Sequence, residues 1–242
     1  IIIFTILIFI INNKIKDKSC NDLFKSLIIL SCLTISLKPF YLIYVFLIFY
    51  FIFDKNIRYY LMDFIKSKLS IFVLIYISSS FLLTFFNSSC LIFPAEFTCF
   101  ENLPWSISKQ EVSDVRVWYE LWSKAGATPN YVVENRIEYI SNFNWFFNWV
   151  NNYFFNKFSD YLLSLIVIGI IIFSFFKFGN GLKINVQKRK YKILYGYIIF
   201  FTIEWFFNHP ALRYGGYHLF ALLIFIPLVL QIEKYQIKWN FY

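Results

Sequence analysis

Two stretches of this chain dictate the solvent it folds in. Residues 69–93 (LSIFVLIYISSSFLLTFFNSSCLIF) and 161–178 (YLLSLIVIGIIIFSFFKF) are each apolar over a length that, as a helix, crosses about 30 Å of hydrocarbon. Composition agrees: of 242 residues 59% are hydrophobic and only 15% are charged, where a soluble globule carries about 25%. A soluble fold is excluded, and so is disorder, which requires low hydrophobicity. Four cysteines in 242 residues are too sparse for a disulfide scaffold. The chain therefore reads as all-α, a polytopic transmembrane helical bundle whose first partner is the lipid bilayer.

Shorter apolar runs at 193–207 and 217–230 flank a polar break at 208–216. Residues 26–53 are apolar apart from Lys38-Pro39 near the middle, so a single helix there would hold a charge in the hydrocarbon and be kinked by proline. The alternative is a helical hairpin with arms 26–37 and 40–53. Residues 1–12 (IIIFTILIFIIN) are too short for a span and the only methionine is Met62; the expectation is an N-terminus cut inside a transmembrane helix.

Charge chooses between kink and hairpin. The segments 13–25, 54–68, 177–192 and 231–242 hold 16 of the 23 cations and five acids, a balance of +11, and everything else balances at −2. Cytoplasmic loops concentrate Lys and Arg, which makes the first group internal only if 26–53 enters and leaves on one side. The hairpin is favoured. The expected layout is an N-terminal membrane part at 1–93, an external or periplasmic segment at 94–159, and a C-terminal membrane part at 160–242. The last part has spans near 161–178, 193–207 and 217–232 and a cytoplasmic C-terminus. The net charge of +9 is thus accounted for by topology, and no nucleic acid partner is expected.

The external segment has soluble-like patterning. Ser108-Lys-Gln-Glu111 fits a capping box, in which the serine oxygen caps the first turn and the glutamate reaches back to the cap. Val112, Val115, Val117, Trp118, Leu121 and Trp122 recur near helical spacing and Gly126 is a natural stop, predicting an amphipathic helix at 109–124. A second helix at 142–158 (NFNWFFNWVNNYFFNKF) is aromatic enough to lie along the membrane interface, running into the next span. The wider aromatic excess, 33 Phe and 18 Tyr, is read as codon bias, since Phe, Tyr, Ile, Asn and Lys share A/T-rich codons.

No phosphate-binding loop, dinucleotide fingerprint, nucleophile elbow or zinc-protease motif occurs, and His209 and His218, nine apart, do not share a helical face as a metal pair. Neither a metal nor a cofactor is expected. Cys90 and Cys99 bracket Pro94 at the external mouth of the 69–93 span; an oxidising compartment allows a disulfide, and two buried free thiols are the alternative. Lys38, at the hairpin tip, is placed to face a lipid phosphate or simply to snorkel. In the break, Arg213 has the fork geometry to hold a phosphate bidentately, or else to pair with Glu204 or a headgroup, and His209 and Tyr214 sit beside it. Glu96 and Glu101 follow the outward span among Phe93, Phe97 and Phe100, where desolvation would suit a general base. The other acids of the segment, Glu111, Asp114, Glu120, Glu134 and Glu138, read as a solvated helix face.

The strings CLIFPAEFTCFENLPWSISKQEV, YELWSKAGA, NFNWFFNWVNNYFFNKFSDYL and EWFFNHPALRYGGYH resemble a family of uncharacterised bacterial multi-pass inner-membrane proteins, over most of residues 85–225. More distantly, the layout is similar to the GT-C class of polyprenyl-phosphate-sugar-dependent glycosyltransferases. Leu37-Lys38-Pro39 partly matches their hairpin-tip motif, without its Thr and Gly, and Pro104-Trp105 and Arg213-Tyr214 occupy comparable places. That resemblance implies a fragment of a cell-envelope glycosyltransferase or polysaccharide-assembly enzyme. It would use an undecaprenyl-phosphate-linked sugar on the periplasmic side, with phosphate contacts at Lys38, His209, Arg213 and Tyr214. The class carries its catalytic acid in a first external loop, which would precede residue 1. Two other readings stand beside it: a polymerase- or flippase-like handler of the same lipids, and a non-enzymatic membrane protein whose external segment docks a partner.

Overall fold

The computed structural model describes residues 18–37, 55–127, 133–177 and 188–235. Among them the chain is helical throughout, and its only β pairing is an isolated antiparallel bridge between Cys90 and Cys99. Among the described residues three helices are long and apolar enough to cross a membrane by length and composition, Lys68–Ser88, Phe146–Ser174 and Leu212–Gln231. The chain divides into two compact units, residues 2–116 and 117–242.

The first unit is built from α1 (Lys18–Leu37), α2 (Lys55–Lys66) and α3 (Lys68–Ser88). On α1 the buried side chains are Phe24, Leu27, Ser31 and Ile35, a stripe at helical spacing, and Phe24 meets the buried Tyr60 of α2 with ring centroids 6.2 Å apart. The same two helices are tied outside that stripe by Asp63, which accepts from Asn21 Nδ2 at 2.8 Å and pairs with Lys25 at 3.1 Å. The Asn21 hydrogen bond, followed by Lys25, holds the Asp63 carboxyl below its ordinary range. This polar tie explains why the chain is already helical at Asn21 and Lys25, ahead of the apolar run that begins at residue 26: these turns dock by hydrogen bonds that an apolar pattern does not register. Lys38, Pro39 and the second expected arm of the hairpin lie outside the described residues.

The expected outward span at 69–93 is helical only as far as Ser88. Ser89 takes the left-handed conformation at φ 55°, and its amide closes the last turn onto the Phe85 carbonyl at 2.7 Å. Beyond it, Cys90 and Cys99 are joined by a disulfide. The loop they close is braced by Leu91 N donating to Thr98 O at 3.1 Å and Phe100 N to Ser89 O at 2.9 Å, and it contains a cis Phe93-Pro94 peptide.

The helix α4 (Lys109–Lys124) passes from the first unit into the second. The capping box forms as the sequence predicts: Glu111 N donates to Ser108 Oγ, and Ser108 N donates back to Glu111 Oε2, each at 3.2 Å. Gly126 stops the helix at φ +89°, and a Cβ there would sit 3.0 Å from Asn152 Cβ, so the position requires glycine on two counts.

After α5 (Arg136–Ile140), α6 (Phe146–Trp149) continues through a π-helical stretch, Val150–Phe158, into α7 (Ser159–Lys177). The buried aromatic residues along this path are Trp145, Trp149, Tyr153 and Phe158. Steps of four, four and five residues would drift around an ordinary α-helix, but i→i+5 hydrogen bonding keeps them on one face. The helix expected at 142–158 therefore has a different start and a protein-facing side. The helix starts four residues later, after Asn142 at φ 49°, and one aromatic face is protein core, while Phe147 and Phe155 on other faces are exposed.

That core packs on α8 (Lys188–Asn208), whose buried stripe is Leu194, Ile198, Phe201 and Trp205. Phe158 stacks on Trp205, and Trp149 meets Phe206 edge-on at 5.5 Å. Past the break come α9 (Leu212–Phe220), a second π stretch (Ala221–Phe225) and α10 (Ile226–Tyr235). Tyr161 Oη of α7 donates to the Gly216 carbonyl of α9 at 2.6 Å.

Candidate functional site

A chain that leaves one helix and enters another strands the last carbonyls of the first and the first amides of the second. Between α8 and α9 this happens where Pro210 and Ala211 are buried, so water cannot serve those groups. Side chains from three elements do so instead. Trp149 Nε1 donates to Pro210 O at 3.0 Å, and Trp205 Nε1 donates to Ala211 O at 2.9 Å. Ala211 N donates to Ser123 Oγ at 3.0 Å, and Leu212 N donates to Tyr153 Oη at 2.8 Å. The carbonyls of Pro210 and Ala211 and the amides of Ala211 and Leu212 thus all have side-chain partners.

The C-terminal half of α4 lies along it. Beside Ser123, Lys124 is buried, with its side chain only 5% exposed. Its ammonium is neutralised by Glu120 one turn back, donates to Ile140 O at 2.9 Å and sits 5.2 Å from the Trp145 ring centre. That set answers the desolvation cost of a buried cation with a counter-charge, a carbonyl and an aromatic face. Trp122 meets Tyr214 edge-on at 6.2 Å, and Tyr214 in turn lies 5.4 Å from the His209 ring. Burial pushes the His209 imidazole below its ordinary pKa, opposed by the charge of Glu120 and reinforced by that of Lys124. His209 is therefore biased towards neutral imidazole, a form that both donates and accepts hydrogen bonds.

The residues singled out from sequence are distributed as follows. His209, Arg213 and Tyr214 come together around the break. Arg213 is exposed in the first turn of α9, and among the described residues no carboxylate lies within ion-pair distance of it. Glu204, its expected partner, instead accepts from Asn208 Nδ2 at 2.9 Å. Glu96 pairs with Arg116 at 3.0 Å and Glu101 with Lys109 at 3.2 Å, both at the surface, so neither is the desolvated carboxyl that a general base calls for. Cys90 and Cys99 form the disulfide. Lys38 lies outside the described residues. Among these, no group of three His, Cys, Asp or Glu is arranged to hold a metal ion.

Glu120, Ser123 and Lys124 were not anticipated as members of the site, nor were Trp149, Tyr153 and Trp205. Glu120 and Lys124 look in sequence like an ordinary solvated pair one helical turn apart, and Ser123 like a polar surface residue. The only local sign is the small-residue run Ser123-Lys-Ala-Gly126, which allows the last turn of α4 to approach other backbone closely.

No curated protein and no solved structure matches the chain, so the distant likeness to the GT-C class gains no support from comparison. A family profile does match. It covers residues 1–220 and so takes in the break and every side chain that holds it, and the chain belongs to the family described as Domain of unknown function (DUF8201).

Proposed function

We propose that this DUF8201 protein is an integral membrane component of bacterial cell-envelope glycan synthesis. In this reading it is a glycosyltransferase or polysaccharide-assembly enzyme that takes an undecaprenyl-phosphate-linked sugar at the periplasmic face of the inner membrane. The observation that carries the reading is Arg213. It stands at the start of Leu212–Gln231, a helix long and apolar enough to span, and it is exposed, with no carboxylate within ion-pair distance among the described residues. A guanidinium at the water end of an apolar helix is matched to a phosphate that itself sits at the end of a lipid chain. The α9 N-terminus adds a favourable dipole for an anion, and the bonded turn before it fixes where the side chain starts. His209 and Tyr214 supply neighbouring hydrogen-bonding groups, and Lys38 is the second expected phosphate contact.

The hydrogen bond from Ala211 N to Ser123 Oγ joins the 94–159 segment to the 208–216 break. A shared side for Ser123 and the break supports the periplasmic layout.

The test is made in the full-length protein in its bacterium. Arg213→Ala is expected to abolish or shorten the surface glycan seen by gel electrophoresis at normal protein level, while Arg213→Lys retains part of it. Unchanged glycan with Arg213→Ala at normal protein level would overturn the reading and favour a partner-docking role.

A further inference from the structure

Beside Arg213 lies a second set of groups whose chemistry differs from phosphate binding. On α4, Tyr119 is 39% exposed and its ring meets that of Trp118 edge-on at 5.2 Å. Tyr119 precedes Glu120, whose carboxylate is partly open to water on the side not occupied by Lys124. Across from them stand His209 and Tyr214. Trp122, one turn beyond Tyr119 on α4, meets Tyr214 at 6.2 Å, and the Tyr214 ring lies 5.4 Å from His209, so the two faces are neighbours. The hydrogen bond from Ala211 to Ser123 and the contact of Trp122 with Tyr214 hold α4 and the break in this register.

An aromatic face flanked by a carboxylate and an imidazole suits a carbohydrate. The C–H face of a pyranose stacks on the ring, and its hydroxyls, each donor and acceptor, pair with a carboxylate, a phenol and a neutral imidazole. A residue serving only as a membrane-interface anchor needs one polar tip, and the carboxylate and imidazole beside these tyrosines go beyond that.

We infer that Tyr119, Glu120, His209 and Tyr214 form the subsite for the sugar ring of the lipid-linked substrate, with its phosphate at Arg213. The inference rests on the phosphate reading above and adds to it: the protein distinguishes a glycosylated lipid phosphate from a bare one, and α4 supplies the discrimination. No bond is made or broken by these groups in this assignment. They bind and orient.

The experiment uses the full-length protein in lipid nanodiscs, with undecaprenyl phosphate, undecaprenyl-phosphoglucose and undecaprenyl-phosphomannose as probes. Wild-type protein is expected to bind at least one glycosylated lipid about tenfold more tightly than bare undecaprenyl phosphate. Tyr119→Ala removes an exposed side chain and is expected to erase that preference while leaving the affinity for undecaprenyl phosphate unchanged; Tyr119→Trp restores it. Arg213→Ala weakens all three lipids alike. Equal wild-type binding of bare and glycosylated lipids overturns the sugar subsite while sparing the phosphate reading, as does a preference that survives Tyr119→Ala. Binding of none of the three lipids removes the phosphate reading and the subsite with it.

Discussion

Two apolar helices of similar length have opposite surroundings. Along α3 (Lys68–Ser88), the most apolar of the three candidate spans, the apolar window is wholly unburied; Ile71, Phe72, Leu74, Ile75, Leu82 and Leu83 are exposed on one side, while on the other Tyr76 Oη lies 2.7 Å from Ser36 Oγ of α1. The helix Leu212–Gln231 is the least apolar, yet a third of its window is buried. The order is the reverse of what water would impose. In hydrocarbon, apolar side chains gain nothing by hiding, and close packing marks itself by small and polar residues. The buried helix carries Gly215, Gly216 and His218 on its covered side, and α3 presents branched and aromatic side chains to its surroundings. In this chain, glycine and hydrogen-bonding side chains identify the protein-facing helix, and hydropathy identifies the exposed one, as expected of a helix that faces lipid.

The sharpest way to break that contrast is at Gly215. A Cβ there would fall 2.2 Å from Trp205 Cγ. The indole cannot retreat, because it is buried and its Nε1 is committed to the Ala211 carbonyl. Gly215→Ala is expected to cost about 3 kcal/mol, the upper end for overpacking a filled core, and to appear as a large fall in the thermal midpoint of the detergent-solubilised protein. A shift below about 1 kcal/mol would mean that the break is looser than its four side-chain hydrogen bonds imply.

A smaller effect is expected one layer out, at the buried lysine. Glu120→Ala leaves the Lys124 ammonium with the Ile140 carbonyl and the Trp145 ring alone. Removing one partner of a fully buried pair costs about 3–5 kcal/mol; with Glu120 partly exposed, about 2 kcal/mol is expected. Because the loss comes from an uncompensated charge, the double variant Glu120→Ala/Lys124→Met should recover part of it, which a double-mutant cycle measures. Equal stability of the single and double variants would show that Lys124 reaches water in solution and that α4 does not seal the break.

What was legible in sequence follows the range of the interactions. The helix α4 was readable at both ends, because a capping box and a glycine stop act within a few residues, and the spans were readable as lengths. Their ends were not: α1 is already helical at Asn21 and Lys25, which tie it to Asp63, and α3 stops at Ser88 through a backbone reversal within an apolar run. His209, Arg213 and Tyr214 were found because polar residues interrupting two spans are conspicuous. Ser123 was not, since its partner lies 88 residues away, nor was Trp149, 61 residues from Pro210. The Glu120–Lys124 pair shows the limit most plainly. Its spacing is that of any solvated helix pair, and only Trp145, twenty-one residues beyond Lys124, makes it buried.

The smallest expected effect lies on α3. Ile75 is exposed in mid-helix, so Ile75→Ala removes side chain from no protein contact and is expected to leave the thermal midpoint in detergent unchanged to within about 0.5 kcal/mol. Ile75→Lys separates the two solvents that an exposed apolar helix can have. A lysine near the centre of a span costs about 3 kcal/mol in membrane insertion, so integration into the membrane should fall while the protein that does insert and is extracted keeps its midpoint. If instead Ile75→Ala alone lowers the midpoint of the full-length protein by more than 1 kcal/mol, this face is covered by protein rather than lipid. The bare surface of α3 would then mark a helix–helix contact, and the rule that hydropathy marks the lipid-facing helix would fail at its clearest example.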